Sequence, residues 1–262
     1  MKSWTLYCKI LLAVATLLPL PASAYTASTS LVTLQTSGSG SSAFLWLENK
    51  SIKPAAVEFS INEHLKDIDG KTILGAEAGD NFIIYPAQVV MVPGDEVSVQ
   101  LLWVGEPVLE AEQVYALFSR EVAIPRKVDS SEGVRIDITV LMNYESRVYV
   151  TPPGAKPNVV VESIAEVTPS KSAGENLGVD ESLLLEIILV NQGTAHLSMR
   201  NMSLVFVPLD TKGAPLPQFS VTLAAIQIPT MRPHLLAGDR RRLLIQRPDG
   251  LPPGPVSVSL SE

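Results

Sequence analysis

Few residues of this sequence have the types and spacing that catalysis or metal binding requires. His64, His196 and His234 are far apart along the chain, and none stands in a metal-ligand spacing. We therefore interpret each histidine as a surface or loop residue. The single cysteine, Cys8, lies near the N-terminus, so the rest of the chain offers no thiol nucleophile, no disulfide and no cysteine-based metal site.

The acidic residues do not form a catalytic pattern either. Asp67 and Asp69 form one close pair and Glu110 and Glu112 another, and we interpret both as solvated loop charges. No glycine-rich loop with the lysine and hydroxyl of a phosphate-binding site is present, so ATP is not expected as an energy source. The sequence therefore predicts no catalytic residue, no metal and no cofactor, and it points to binding as the activity.

One stretch carries a pattern suited to binding a polypeptide. Residues 134–142 alternate, so that in an extended chain the apolar members share one face while Arg135, Asp137 and Thr139 lie on the other. The apolar members are Val134, Ile136, Ile138, Val140 and Met142. The pattern fits an ordinary half-buried strand, and it also fits a strand whose apolar row is offered to a second chain, with main-chain pairing between the two.

The N-terminal residues indicate export. Lys2 and Lys9 flank an apolar run at 10–20, and a small-x-small pattern follows at 22–24. This is a secretory signal peptide, and its apolar run is too short to span a bilayer. We expect residues 1–24 to be removed, which makes Tyr25 the first residue of the mature chain.

Charge and hydropathy exclude two classes of partner. The formal net charge is −7, and loss of residues 1–24, which hold two lysines and no acidic residue, makes the remainder more negative. Nucleic acids and anionic membranes both favour basic surfaces, so neither is an expected partner. No later apolar run approaches the length of a membrane span, so we expect no membrane insertion.

Strand patterns dominate the mature chain. Short apolar or alternating runs separated by Gly, Pro, Asn and Ser are typical of antiparallel β-sandwiches. We expect at most one helical turn, near residues 109–113. The predicted strands lie at residues 43–49, 55–61, 97–101, 114–118, 159–164, 183–190, 204–207, 242–245 and 256–260.

A stiff connection divides the chain. Three prolines occur between residues 151 and 157, and they end the preceding strand and stiffen the chain. We predict an all-β protein of two immunoglobulin-like β-sandwich domains, at 25–151 and 158–262, joined by a Pro-rich linker at 152–157.

Residues 81–105 resemble a known family. A strand ends at Tyr85-Pro86, a Pro93-Gly94 turn follows, and an alternating strand leads to Gly105. This order is similar to the central signature of the periplasmic pilus chaperones of chaperone–usher pathways. Residues 114–125 and 134–152 resemble the next strand and the last strand of that family's first domain. The short polar turn at 129–133 and the exit at 149–154 are most similar to its divergent, archaic-like branch.

The resemblance implies a function. Chaperones of this family cap pilus subunits, which are incomplete immunoglobulin-like domains, by donating a strand, and they deliver them to an outer-membrane usher without ATP. The donated side chains here would be Val134, Ile136, Ile138, Val140 and Met142. The expected location is the periplasm, and the expected partners are fimbrial subunits and the usher.

The resemblance also implies a basic anchor for the subunit's terminal carboxylate. Arg147 aligns with one of the two basic residues that the family uses, whereas the other position falls at Thr33, which is not basic. Arg120 is a possible substitute for that second anchor. The arginine that forms an inter-domain ion pair in the family is replaced by Thr151, so the angle between the domains must be fixed in another way.

Two other classes of function stay open. The chain could be a secreted structural or adhesive component of a surface fibre, although such a subunit should lack a complete sandwich and carry an N-terminal donor strand. It could also be a secreted enzyme on an immunoglobulin-like scaffold, which the absence of catalytic patterns disfavours.

Overall fold

A computed structural model describes residues 25–28, 30–124, 140–167, 184–223, 234–252 and 254–261. These residues form eighteen β-strands and three short 3-10 helices, the latter at Gly38–Ser41, Gly79–Asn81 and Met199–Asn201. None of these helices is long and apolar enough to cross a membrane. The strands are β1 (Tyr25–Ala27), β2 (Leu31–Gln35), β3 (Ser42–Asn49), β4 (Ala55–Lys66), β5 (Thr72–Glu77), β6 (Phe82–Tyr85), β7 (Gln88–Met91), β8 (Glu96–Trp103), β9 (Gln113–Val122), β10 (Asn143–Thr151), β11 (Val159–Val167), β12 (Leu184–Asn191), β13 (Leu197–Ser198), β14 (Ser203–Pro208), β15 (Phe219–Thr222), β16 (His234–Leu235), β17 (Arg240–Gln246) and β18 (Val256–Ser261).

The first ten strands form two sheets that face each other. One sheet has the order β1-β3-β8-β6, and the other has the order β2-β10-β9-β4-β5, with β7 also paired to β4. Alternation in β3 shows why these residues form a sandwich: Leu45 and Leu47 are buried, whereas Phe44 and Trp46 between them are exposed. The buried face of each sheet contributes to one apolar interior.

The remaining strands form a second sandwich. Its described sheets have the orders β11-β12-β17, β13-β16 and β15-β14-β18. Strand β12 is buried along most of its length, and its inward side chains pack around Phe206 and Leu243. The observed fold is the predicted one, all-β with two sandwiches.

The predicted strands are found close to their expected positions. Residues 43–49 and 55–61 lie in β3 and β4, and residues 256–260 lie in β18. The weak helical signal at 109–113 forms no helix: residues 109–112 have no regular structure, and Gln113 begins β9. The signal peptide at 1–24 and the polar turn at 129–133 lie outside the described residues.

Candidate functional site

Strand β10 presents two faces with different contacts. It lies between β2, to which it is parallel, and β9, to which it is antiparallel. Val148 and Val150 point into the first sandwich and belong to its core. Arg147 and Tyr149, which alternate with them, therefore lie on the outer face of the sheet.

The N-terminal approach to β10 passes from solvent into the core within three residues. Val140 is 74% exposed and Leu141 is 41% exposed. Met142 is half-buried and packs against the cluster that contains Tyr25. The end of the sandwich therefore falls between Val140 and Met142.

The structure describes only part of the predicted donated strand. Val134, Ile136 and Ile138 lie outside the described residues. Val140 and Met142 are described, but the observed strand begins at Asn143. The prediction that residues 140–142 belong to a strand is therefore wrong. The reason is that the ladder between β10 and β9 has its last pair at Asn143 and Arg120, and beyond it, among the described residues, the main chains share only the hydrogen bond from the Glu121 N–H to the Met142 carbonyl.

Arg147 has an unusually poor set of partners. It lies opposite Ala116 of β9 and Leu31 of β2, and its Nε atom is buried without a hydrogen bond. Its Nη1 atom donates one long hydrogen bond, of 3.5 Å, to the hydroxyl of Tyr149. Within the described residues no carboxylate forms an ion pair with this guanidinium.

Thr33 and Arg120 occupy different parts of the same outer face. Thr33 is the direct partner of Tyr149, so the position where the family pattern requires a second base lies beside the Arg147–Tyr149 pair. Arg120 pairs with Asn143 at the far end of β10, and its guanidinium lies 4.9 Å from the centre of the Phe118 ring. Four residues of strand separate Arg120 from the partner of Arg147, which is about 13 Å. The structure does not bring the two arginines together.

A buried carboxylate joins the two sandwiches at the other end of β10. The Glu112 side chain is 2% exposed, and its Oε2 atom accepts a hydrogen bond from the Thr151 hydroxyl at 2.7 Å. Its Oε1 atom accepts the main-chain N–H of His196 at 3.1 Å and lies 2.6 Å from the Nδ1 atom of that ring. Burial raises the pKa of the Glu112 carboxyl, but these hydrogen bonds outweigh it and hold the pKa below its usual value.

Aromatic rings fill the space beside this carboxylate. Tyr149, which is fully buried, lies against His196 with 4.3 Å between ring centres, and His196 lies 5.1 Å from His234. Burial, followed by the charges of His196 and Arg147, lowers the pKa of His234 to about 4. The third histidine, His64, is also buried, at 1% exposure.

A turn of the first sandwich docks on the second. The turn at 67–71 joins β4 to β5, and the carbonyl of Ile68 accepts a hydrogen bond from the Arg242 N–H at 2.7 Å. Asp69 forms an ion pair with the Arg242 side chain at 2.8 Å. Gly70 has a φ of +79°, and a Cβ atom there would overlap the buried guanidinium of Arg241. The inter-domain contact thus has two parts, the Glu112 cluster and this turn.

Sequence reasoning missed the residues that join the sandwiches. The interpretation of the histidines as surface or loop residues is wrong for His64, which is buried in β4, and for His234, which is half-buried in β16. His196 does lie in a loop, but that loop packs against Tyr149 where the sandwiches meet. The interpretation of Glu112 as a solvated charge is wrong because its side chain is buried. One signal in the sequence pointed to this contact. Thr151 stands where the family has the arginine of its inter-domain ion pair, so a different contact between the domains was expected. Among the described residues no group of three or more His, Cys, Asp or Glu side chains could hold a metal ion.

Comparison with known proteins gives structural matches only. No protein-family model matches the chain, and no curated protein matches it in sequence. A chain from a structure of the chaperone–tip adhesin complex of CFA/I fimbriae aligns with a TM-score of 0.53 at 11% identity, over 86% of this chain and 90% of that chain. The class 5 fimbriae chaperone CfaA aligns with a TM-score of 0.51 at 12% identity, over 91% of this chain and 99% of that chain.

At these identities the likeness establishes the fold. The protein has the two-domain β-sandwich fold found in fimbrial chaperones, as the resemblance around Tyr85-Pro86 implies. The match extends over both sandwiches, including the second, where sequence similarity to the family pattern is weaker.

Proposed function

We propose that this protein is a periplasmic chaperone of fimbrial subunits. It binds an incomplete immunoglobulin-like subunit by lending it a strand, and it delivers that subunit to an outer-membrane usher for assembly. The activity is binding, without a catalysed reaction. Residues 1–24 direct the chain to the periplasm as a signal peptide.

The observation that carries this proposal is the course of the chain into β10. Val148 and Val150 face the core, and the apolar row at 134–142 has the same even parity, so in an extended chain it continues that apolar face. Val140 already lies outside the sandwich and is 74% exposed. An apolar face that continues past the end of its own core is suited to complete the core of another domain.

The energy available from such a strand is large enough to hold a subunit. Fully burying one of these side chains stabilises a complex by roughly 1.5–3 kcal/mol before the cost of ordering. Several of them together can hold an incomplete sandwich, and a better-fitting strand from the next subunit can replace them. This exchange requires no nucleotide.

Arg147 is the proposed anchor for the subunit's terminal carboxylate. It lies on the outer face of β10, opposite in parity to the donated row, and its Nε atom is buried without a partner. Arginine can bind a carboxylate through two N–H groups, and a charge-assisted bond contributes roughly 1.5–3 kcal/mol. Arg120 stays a weaker candidate because its guanidinium lies against Phe118.

Co-expression provides the test. The full chain, with its signal peptide, would be produced with a panel of fimbrial major and tip subunits, and complexes would be isolated from the periplasm. We expect a stable one-to-one complex with a cognate subunit, loss of that complex in the double variant Ile138→Glu/Val140→Glu, and lower recovery in Arg147→Ala. Arg240→Ala, on an exposed position of β17, is the matched arginine control.

Two results would contradict the proposal. If the double variant forms the complex as well as the wild type does, strand donation is wrong. If Arg147→Ala matches Arg240→Ala in recovery, Arg147 is not the anchor.

A further inference from the structure

Met142 is held by both of its main-chain polar groups. Its carbonyl accepts a hydrogen bond from the Glu121 N–H at 2.9 Å, and its own N–H donates to the Glu121 Oε2 atom at 3.1 Å. Glu121 lies on β9, one step beyond the Arg120–Asn143 pair of the ladder. A single residue therefore fixes the main chain at the point where the chain enters the sandwich.

The half-buried Met142 side chain packs against the protein's own core. It packs against the cluster that contains Tyr25, Leu47 and Val57. Val140, which precedes it by two residues, is 74% exposed. The apolar row predicted from the sequence is thus divided, and Met142 lies on the inner side of that division.

Tyr25 ties the N-terminal strand to the same place. Its hydroxyl donates to the Ser119 carbonyl at 2.6 Å and lies 3.5 Å from the Met142 carbonyl. Its ring meets the Tyr144 ring edge-on at 5.0 Å, and the Tyr144 hydroxyl donates to the Tyr25 carbonyl at 2.8 Å. Burial raises the pKa of Tyr25 to about 12, so the hydroxyl keeps its proton and remains a donor.

We propose that Glu121 and Tyr25 are positioning residues that fix Met142 as the anchored base of the donated strand. Met142 then packs against the chaperone's own core, and the side chains offered to a subunit end at Val140. This inference rests on the proposed function. It also assigns Tyr25, the expected first residue of the mature chain, a role in holding that base.

Register is the physical reason for such an anchor. Side chains in a strand alternate with a period of two, so a slip of one residue would turn the entire apolar row to the wrong face. Two main-chain hydrogen bonds at Met142 prevent that slip at the last residue before the strand leaves the sandwich. A donated strand that leaves with fixed parity presents the same side chains to every subunit.

The main-chain contact is tested with Glu121→Ala and Glu121→Gln in the full mature chain. The glutamine retains an oxygen that accepts from the Met142 N–H, whereas alanine does not. In the free protein we expect Glu121→Ala to speed hydrogen exchange at the Met142 amide about tenfold, the equivalent of one lost hydrogen bond. The amides of Leu117 and Val148 should be unaffected, and Glu121→Gln should restore slow exchange at Met142.

The affinity for a subunit distinguishes a positioning role of Glu121 and Tyr25 from a role in stability alone. The probe is the fimbrial subunit that co-purifies with the wild-type chain. We expect Glu121→Ala to weaken its binding about tenfold and Glu121→Gln to restore it. Tyr25→Phe should weaken binding several-fold, whereas Tyr115→Phe, which removes a buried hydroxyl bound to Gln113, should not.

The two proposals fail in different ways. If Glu121→Ala binds the subunit like the wild type, or if Glu121→Gln binds as poorly as Glu121→Ala, the positioning role is overturned while strand donation stands. If the wild type captures no subunit, the proposed function fails and the positioning role fails with it. Thermal unfolding of each variant identifies any change that acts only through loss of folding.

Discussion

The two ends of β10 differ in burial and in how their polar groups are satisfied. At the C-terminal end, Tyr149 and Val150 are fully buried, and the Thr151 hydroxyl is bound to a buried carboxylate. Just before its N-terminal end, Val140 is exposed and Met142 is held through Glu121. β10 therefore connects a closed end, at the contact between the sandwiches, to an open end, where the preceding Val140 is exposed.

This difference indicates a division of labour. A strand that is fixed at one end by the domain contact and by the ladder with β9 can present its other end in a constant direction. The long hydrogen bond of Arg147 to Tyr149 places the proposed anchor between the two ends. In the proposed function, the closed end would supply rigidity and the open end would supply the surface for a partner.

The largest expected effect is at the closed end. Glu112→Ala would leave the Thr151 hydroxyl and the His196 main-chain N–H without their acceptor, so we expect a loss of about 2–4 kcal/mol in the free energy of unfolding. Urea unfolding measures it. The exposed neighbour Glu110→Ala should change that free energy by less than about 0.5 kcal/mol, and an equal effect of both variants would remove the distinction.

The docked turn should show a smaller effect. Gly70 and Gly94 both have positive φ, of +79° and +86°, but only at Gly70 would a Cβ atom meet Arg241. Both alanine variants carry the cost of that φ, and we expect Gly70→Ala to cost about 1–2 kcal/mol more than Gly94→Ala because the buried guanidinium must move. Thermal unfolding measures both variants. An equal decrease in Tm for Gly70→Ala and Gly94→Ala would show that the turn does not stabilise the contact between the sandwiches.

The closed end should also respond to acid. The pKa of His234 is about 4 in the folded protein and 6.5 in the unfolded chain, so on acidification the unfolded chain takes up this proton first. The contribution of neutral His234 is therefore present above pH 6.5 and is lost as the pH falls toward 4. We expect a loss on the order of 1–2 kcal/mol, allowing for solvent screening of a half-buried group. Urea unfolding of the wild type and of His234→Gln at pH 7.5 and pH 5 measures this loss. If the free energy of unfolding falls as much between the two pH values in the variant as in the wild type, the prediction is wrong.

The smallest effect is expected at the open end. Val140→Ala should change the free energy of unfolding of the free protein by less than about 0.5 kcal/mol, since its side chain is exposed. Val148→Ala, at a fully buried position of the same strand parity, should cost about 2 kcal/mol. A large loss in the free energy of unfolding of Val140→Ala would show that Val140 packs in the core of the free protein.

The amino-acid sequence determined the fold class to a large extent. Period-two alternation and turn residues are local signals, and they predict β3 and β8 close to their observed bounds. They also predict the first part of β4 and of β9, which both extend further toward their C-terminal ends. The parity of the row at 134–142 relative to Arg147 is also a property of the sequence alone, because alternation continues along an extended chain. The apolar row and the basic residue on the other face could therefore be predicted.

Only the tertiary structure decided which residues act together. His196, Thr151 and Glu112 are distant along the chain, and the approach of β9, the end of β10 and the second sandwich is what buries the carboxylate and satisfies it. In the same way, the packing of Met142 against Tyr25 and its hydrogen bonds to Glu121 separate it from Val140, although the alternation treats the two residues alike. Alternation records which face a side chain takes, whereas burial depends on what lies opposite that face, and that is decided by contacts between distant segments.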